Sequence, residues 1–324
     1  MRVRSIISLL LVTALLSAAC GRGRRQSVEP GPRPFPQVRV PAVCSDPQSR
    51  TAYLLQHFWD AFFAGDGRCD SALVLGVPKA EVEQSLANFL ALLDLAPLPD
   101  AQKGMERLFN QISDRQKADT ACRVYLQMTE IVGRYLYDPN SPLRDEDYYL
   151  PFVRAMAASP LTSEKMRTAC RYEAAGCAIC PRGSVAPDFR IRTAGGRVVR
   201  LHGVQARNTV LFFSNPGCQA CKEIIDALTG RPYLDRLIAS GEVAVMNVYI
   251  DEDISAWKAY EPKYPRNWVC GYEYEGLIRS ERLFDVRAIP SLYLLDADKR
   301  IVLKDAPTEK MLARLDTIAN NQKQ

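Results

Sequence analysis

Two cysteines separated by two residues, Cys218 and Cys221, are the residues of this sequence best suited to covalent chemistry. They follow the apolar run 209–213 and open a segment with helical periodicity. A cysteine at the start of a helix lies near unpaired backbone amides and the positive end of the helix dipole, which favour its thiolate form. Cys221 lies one turn further along, where it can attack a mixed disulfide formed at Cys218. The pair therefore predicts thiol:disulfide exchange.

The elements that must position this dithiol follow an α/β pattern from about Ser184 onward. A β-hairpin and a buried strand precede the dithiol, and strands alternate with helices after it. The predicted strands are 189–192, 197–201, 209–213, 243–250, 291–295 and 300–303, and the predicted helices begin at residues 218 and 308. A polar and aromatic stretch, 251–284, lies between the two groups of strands. Ile289 and Pro290 come directly before a strand, a position that suits a cis peptide bond packed against the dithiol.

The preceding segment, from Cys44 to Gly183, has the periodicity of helices. Apolar residues recur in it at intervals of three and four, which indicates helices with one buried face. Three such faces are Val82-Leu86-Phe89-Leu90-Leu93, Met105-Leu108-Phe109-Ile112 and Val124-Met128-Ile131-Val132. The sequence therefore predicts an all-α domain over residues 44–183 and an α/β domain over residues 184–324.

The segment NPGCQACK, residues 215–222, has a strand before it, a helix after it and an Ile-Pro pair before a later strand. This combination resembles the thioredoxin fold, and in particular the TlpA/ResA-like thiol:disulfide oxidoreductases of the bacterial envelope. The resemblance covers roughly residues 185–319. Upstream, the stretch YLYDPNSPLRDEDYY, residues 135–149, resembles an uncharacterised helical domain that precedes thioredoxin folds in envelope lipoproteins. For that domain the resemblance implies no activity.

The resemblance assigns roles to the residues of the motif. It implies that Cys218 is the nucleophile, Cys221 the resolving thiol and Pro290 the cis-proline that shapes the substrate groove. The neighbouring residues implied to line that groove are Gly217, Gln219, Ala220 and Ile289.

Several positions depart from the pattern of these oxidoreductases. Gly217 stands where a tryptophan is usual, and Phe212 stands where thioredoxins carry a buried acid. TlpA/ResA-like proteins place a glutamate three residues after the second cysteine, where this chain has Ile224. Glu223 is one position away, a rotation of about 100° on a helix. It is the candidate proton acceptor for the resolving thiol.

The N-terminus has the layout of a secretory signal. Arg2 and Arg4 precede an apolar run that ends in small residues before Cys20. We expect residues 1–19 to be a lipoprotein signal peptide and Cys20 to be acylated, the alternative being a cleaved signal with an incidental Cys20. Residues 20–43 are rich in proline and arginine, which predicts an extended tether without a core. The protein would then be anchored by lipid in the cell envelope, facing the periplasm or the exterior.

The remaining cysteines can form disulfides, because an exported protein matures in an oxidising compartment. They are Cys44, Cys69, Cys122, Cys170, Cys177, Cys180 and Cys270. Their odd number predicts at least one free thiol or an intermolecular partner. Cys177 and Cys180 form a second pair with the spacing of the first, which predicts a local disulfide or two separate structural thiols. A relay to the main dithiol, and a zinc site of four thiolates shared with it, are further alternatives.

Composition restricts the classes of function. The chain has 324 residues, 47% of them hydrophobic, and a net charge of +5, which is too weak to indicate a nucleic-acid partner. His57 and His202 are the two histidines, which argues against His-rich metal sites and most catalytic triads. The sequence predicts no cofactor and no metal.

The sequence thus predicts an envelope thiol:disulfide oxidoreductase. Its predicted partners are thiols or disulfides of envelope proteins, a membrane or periplasmic redox protein, and the membrane through the lipid anchor. The alternative is a lipid-anchored binding or scaffold protein in which the Cys218–Cys221 pair is only a structural crosslink.

Overall fold

Helices occupy the first half of the part of the chain that this computed structural model describes, residues 31–322. They are α1 (Pro47–His57), α2 (Asp60–Phe63), α3 (Lys79–Leu93), α4 (Leu98–Ala118), α5 (Val124–Leu136), α6 (Glu146–Ala158) and α7 (Glu164–Cys177). A small hairpin, β1 (Leu73–Val74) and β2 (Val77–Pro78), lies between α2 and α3. Leu75 and Gly76 at its turn both have positive φ angles. The predicted helical fold is confirmed, with this hairpin as an addition.

Helix α6 contains a proline, Pro151, in its interior. A proline has no N–H, so the carbonyl of Asp147, four residues earlier, loses its helical donor. The side-chain amide of Gln102 on α4 donates to that carbonyl at 3.0 Å. The helix therefore continues through Pro151 because a neighbouring helix satisfies the exposed carbonyl.

A mixed seven-stranded sheet forms the second half of the described residues. Its strands in spatial order are β4 (Val198–Arg200), β3 (Arg190–Arg192), β7 (Val269–Glu273), β6 (Val243–Tyr249), β5 (Asn208–Phe213), β8 (Ser291–Leu295) and β9 (Ile301–Leu303). The accompanying helices are α8 (Gln219–Thr229), α9 (Leu234–Ala239), α10 (Ile254–Tyr260), α11 (Leu277–Ser280) and α12 (Thr308–Asn321), with short 3-10 helices at Leu201–Gly203 and Glu261–Lys263. The predicted α/β fold of this half is confirmed.

Strand β5 lies inside the sheet, parallel to β6 and antiparallel to β8. Val210 and Phe212 pack into one hydrophobic cluster, whereas Leu211 and Phe213 pack into a second. Because successive side chains of a strand point to opposite faces, both faces of β5 are covered. This explains why its sequence is a continuous apolar run.

Strand β7 lies within the stretch 251–284, for which the sequence pattern predicts no strand. Its buried positions include Gly271 and Glu273, so it lacks the alternation of apolar residues that identifies a strand. A Cβ atom on Gly271 would lie 2.8 Å from Cδ1 of Ile191 on the neighbouring strand β3. Close packing between strands, rather than hydrophobic pattern, accounts for β7.

Two residues near the N-terminus of the described chain contact the helical half. The ring of Phe35 stacks on Phe62, with ring centroids 5.2 Å apart. The guanidinium of Arg33 donates to the carbonyls of Leu75 at 2.9 Å and Phe62 at 3.0 Å. These contacts differ from the predicted extended tether at Arg33 and Phe35, and the role of residues 20–43 as a tether stays a prediction.

From Pro32 onward the described chain forms one compact unit, in which the helical half packs against the half that contains the sheet. The guanidinium of Arg144, between α5 and α6, donates to the carbonyls of Asp305 at 2.9 Å and Ala306 at 3.1 Å. The two halves are thus joined by direct hydrogen bonds. The boundary between residues 183 and 184 stays a prediction.

Candidate active site

Cys218 is the N-cap residue of α8, at the point where the chain turns from β5 into the helix. Its sulfur accepts a hydrogen bond from the amide of Cys221 at 3.1 Å. Gly217 has a φ of 72°, a left-handed conformation that favours glycine over a tryptophan. The predicted position of Cys218 at the start of a helix is confirmed.

The two cysteines of the motif form a disulfide, and their Cα atoms are 5.2 Å apart. Cys218 is partly exposed, whereas Cys221 is 2% exposed. Cys221 packs in the core with Ile224, Ile225 and Leu228, which lie on the same face of α8. A protein partner can therefore reach the sulfur of Cys218 more readily than that of Cys221.

Pro290 lies close to the dithiol because β5 and β8 are adjacent. Ser291 pairs with Phe213 in the antiparallel register, so Pro290 lies beside the loop that leads to Cys218. The Ile289–Pro290 peptide bond is cis, as the sequence predicts. Ile289 is partly buried and packs against the hydrophobic clusters on both faces of the sheet.

The first turns of α8 carry three more predicted site residues. Gln219, Ala220 and Glu223 are all exposed. The carboxylate of Glu223 accepts a hydrogen bond from the side-chain amide of Gln219 at 3.0 Å. This disagrees with the predicted role of Glu223 as proton acceptor for Cys221, because Glu223 lies on the solvent side of the helix and Cys221 on its buried side.

Buried polar side chains lie at the end of β5. Ser214 and the side-chain amide of Asn247 exchange hydrogen bonds of 2.9 and 3.0 Å, and the hydroxyl of Tyr264 lies 3.5 Å from Oγ of Ser214. All three residues are buried, and burial raises the pKa of Tyr264 to about 12. Phe212 is itself part of the apolar core. The strand end therefore carries neutral polar groups, and the position of the thioredoxin acid is apolar.

A cleft of roughly 700 Å³ adjoins the loop before Cys218. Residues of both halves line it, among them Tyr172, Asn215, Asp251, Arg279, Arg282 and Ile289. Tyr172 belongs to α7 and is 65% exposed, and the guanidinium carbon of Arg282 lies 5.0 Å from the centre of its ring. The sequence analysis identifies only Ile289 of these residues. Asn215 is the first residue of the NPGCQACK motif, and the others share no motif because the fold brings them together from other segments.

Ion pairs balance the charges inside this cleft. Asp251 pairs with Arg279 and also accepts a hydrogen bond from the side-chain amide of Asn215. Arg282 pairs with Asp285 at 2.6 Å. The lining of the cleft therefore combines paired charges with apolar side chains, among them Ile289 next to Pro290.

Among the described residues, the cysteines outside the motif form one disulfide and otherwise are free thiols. Cys69 and Cys122 are bonded, with Cα atoms 5.4 Å apart. The free cysteines in the described residues are Cys44, Cys170, Cys177, Cys180 and Cys270. The prediction of at least one free thiol is confirmed. Cys177 and Cys180 are not bonded to each other, so the local disulfide is wrong and two separate thiols are present.

Burial makes four of these thiols poor nucleophiles. It raises the pKa of Cys170 and Cys180 to about 11 and that of Cys270 to about 12. Burial also raises the pKa of Cys177, and the nearby Glu146 carboxylate raises it further. Within residues 31–322, no group of three or more His, Cys, Asp or Glu side chains is arranged to hold a metal ion.

Comparison with known proteins identifies a family for the first half of the chain. Residues 14–176, half of the chain, match the family described as a domain of unknown function, DUF5106. The chain belongs to the DUF5106 family. Among solved structures, this family member is similar to a thioredoxin-like protein from Bacteroides caccae ATCC 43185. The identity is 31%, the match covers 88% of this chain and 99% of that chain, and the TM-score is 0.73.

Other solved structures match a smaller part of this DUF5106 protein. One is the C-terminal domain of an uncharacterized protein from Bacteroides fragilis NCTC 9343, with 36% identity, 43% of this chain and 99% of that chain covered, and a TM-score of 0.41. Another is the thioredoxin domain of a thiol-disulfide oxidoreductase from Bacteroides vulgatus, with 18% identity, 43% and 98% covered, and a TM-score of 0.38. Comparison with curated proteins gives no match.

These findings confirm a thioredoxin-like fold preceded by an uncharacterised helical domain. The predicted signal peptide, residues 1–19, and the predicted lipidation site, Cys20, lie outside the described residues. In the described range, no helix combines the length and apolar character needed to cross a membrane.

Proposed function

We propose that this DUF5106 protein is a thiol:disulfide oxidoreductase that exchanges disulfides with protein substrates through Cys218 and Cys221. One observation carries the proposal: the two bonded sulfurs are unequally exposed, and the more exposed one lies at a helix N-terminus beside Pro290. That position stabilises a thiolate where a substrate can reach it. A purely structural crosslink would not need this arrangement.

In the reducing direction, the exchange begins with the thiolate of Cys218 in the reduced protein, and oxidation of a substrate follows the same steps in reverse. The Cys218 thiolate attacks one sulfur of a substrate disulfide, a bond between Cys218 and the substrate forms, and the other substrate sulfur leaves as a thiolate. Cys221 then loses its proton and attacks the sulfur of Cys218. The Cys218–Cys221 disulfide forms, and the second substrate sulfur leaves. The substrate gains two electrons and the protein loses two, so a redox partner must reduce the protein before the next cycle.

Equilibration with glutathione redox buffers tests this activity. The fraction of Cys218–Cys221 disulfide, read by mass spectrometry, should change rapidly and reversibly with the glutathione ratio and give a reduction potential. That potential decides whether the protein reduces or oxidises its substrates. The Cys177→Ser/Cys180→Ser variant is the control and should titrate like the wild type. A Cys218–Cys221 disulfide that stays unreactive in the folded protein would instead support the scaffold function.

The proposed location is the cell envelope, with Cys20 as the acylated N-terminus of the mature protein. The Cys69–Cys122 disulfide supports an oxidising compartment, since cytosolic thiols are kept reduced. Mass spectrometry of the membrane-purified protein should show acylated Cys20, and Cys20→Ala should release the protein or block its maturation. An unmodified Cys20 in the wild-type protein would contradict the proposed lipid anchor but would not affect the proposal of thiol:disulfide exchange.

A further inference from the structure

The loop between α11 and β8, residues 281–290, borders the dithiol. It ends at Pro290, and the next residue, Ser291, pairs with Phe213 of β5. The cleft beside the dithiol is lined by Ile289 of this loop. A displacement of the loop would therefore change the surface that a substrate meets next to Cys218.

Arg287 of this loop is bound by the helical half. Its Nε donates to Oε1 of Glu146 on α6 at 2.8 Å. A second nitrogen donates to the carbonyl of Tyr137, and the guanidinium carbon lies 4.0 Å from the centre of the Tyr137 ring. One guanidinium thus makes two hydrogen bonds and a ring contact with residues 141 and 150 positions away in sequence.

Asp305 connects the other side of Pro290 to the same group of charges. Its Oδ1 accepts a hydrogen bond from the hydroxyl of Ser291 at 2.7 Å. Its Oδ2 lies 3.4 Å from both Arg287 and Arg144, and Arg144 belongs to the helical half. The loop is therefore held before and after Pro290 by one network.

This network is buried, so its members depend on one another. The side chain of Glu146 is 2% exposed, and Lys304, 2.7 Å from its second oxygen, is 1% exposed. Burial raises the pKa of Glu146, whereas the charges of Lys304 and Arg287 lower it. Removing one charge from a buried group leaves its partners uncompensated. A substitution of Glu146 should therefore change the position of Arg287.

We propose that Glu146 is a positioning residue for exchange with protein substrates. Through Arg287 it holds the loop next to Pro290 in the conformation that a polypeptide substrate contacts. The inference rests on the proposed function. It gives the DUF5106 half a specific role, which is to complete the substrate-binding surface of the thioredoxin-like half. A small dithiol reagent reaches Cys218 without touching the loop, so its reaction should not depend on Glu146.

Asp147 provides a matched control. It is the neighbour of Glu146 on α6, is equally buried at 2% exposure, and also holds an arginine, with Nε of Arg182 2.9 Å from its carboxylate. Arg182 belongs to the segment before β3 and not to the loop at residues 281–290. Asp147→Asn should therefore remove a buried ion pair of the same helix while leaving the contacts of Arg287 in place.

The experiment compares wild type, Glu146→Gln and Asp147→Asn as full chains. We expect Glu146→Gln to slow the reduction of insulin disulfides about tenfold, since small misplacements at a reacting site have large effects on rate. Its reaction with dithiothreitol should stay within about twofold of wild type, as should both reactions of Asp147→Asn. Hydrogen exchange of residues 286–289 should become faster in Glu146→Gln only.

Several outcomes would overturn the inference: an unchanged insulin rate in Glu146→Gln, equal losses with insulin and dithiothreitol, or equal losses in both variants. Arg287→Lys is the second test if Glu146→Gln does not fold. Lysine keeps the charge but lacks the planar group that contacts Glu146 and Tyr137 at the same time. The same selective loss of the reaction with insulin is therefore expected. If wild type reacts with neither reagent, the proposed function fails, and hydrogen exchange alone then decides whether Glu146 orders the loop.

Discussion

The amide of Cys221 donates a hydrogen bond to the sulfur of Cys218, 3.1 Å away, across the first turn of α8. The bond shows that the N-cap sulfur occupies the position that a serine or aspartate oxygen takes at other helix starts. It leaves Cys218 at the partly exposed end of the helix and Cys221 one turn further, in the core. The same helical turn therefore places one sulfur at the helix N-terminus and buries the other.

Substitution of the buried cysteine should trap substrates. In Cys221→Ser, Cys218 can still attack, but the mixed disulfide has no internal thiol to resolve it, so its lifetime should increase at least about tenfold. Adducts with envelope proteins that dithiothreitol releases should accumulate on non-reducing gels. Cys218→Ser should give few adducts because Cys221 is buried. Equal trapping by both variants, or by neither, would contradict the proposed order of attack.

Alkylation of the reduced protein across a pH series should label Cys218 first. A thiol reacts as its thiolate, and a raised pKa keeps a thiol protonated until a higher pH is reached. Burial raises the pKa of Cys170, Cys180 and Cys270, so these should label only above the range in which Cys218 reacts. Peptide mapping by mass spectrometry gives the order. If Cys177 or Cys180 were labelled before Cys218, the assignment of Cys218 and Cys221 as the active dithiol would be wrong.

Removal of the Cys69–Cys122 disulfide should destabilise the helical half. The bond closes a loop of 53 residues, and the entropy it removes from the unfolded chain corresponds to about 4 kcal/mol. The Cys69→Ala/Cys122→Ala variant should therefore unfold at a clearly lower urea concentration than wild type. Cys44→Ala, which removes a free and partly exposed thiol, is the control and should unfold like wild type. Identical midpoints for all three proteins would show that the bond does not stabilise the fold.

The aromatic contact near the N-terminus should contribute to stability. Phe35→Ala removes the ring that stacks on Phe62 and should lower the free energy of unfolding by about 2 kcal/mol. Gln37→Ala, at an exposed position of the same segment, should change it by less than about 0.5 kcal/mol. Urea unfolding measures both. If Phe35→Ala changed the free energy of unfolding as little as the control does, the contact would not stabilise the fold and the segment would be only a tether.

Local patterns in the sequence determined the dithiol, the strand before it and the helices of the N-terminal half. Each depends on residues close together in the chain: the apolar run of β5, the spacing of Cys218 and Cys221, and the three- and four-residue periodicity of α3, α4 and α5. The position of Pro290 before β8 could also be predicted from the sequence, because a proline directly before an apolar run is typical of the start of a strand.

Tertiary structure decided the features that depend on distant partners. Strand β7 forms where Gly271 lets Ile191 approach, and Glu223 turns to solvent because the opposite face of α8 supplies the core. Glu146 and Arg287 meet across 141 residues of sequence. Whether such charges are buried and paired depends on how the two halves pack, and a hydrophobic pattern within one segment contains no information about the partner supplied by another.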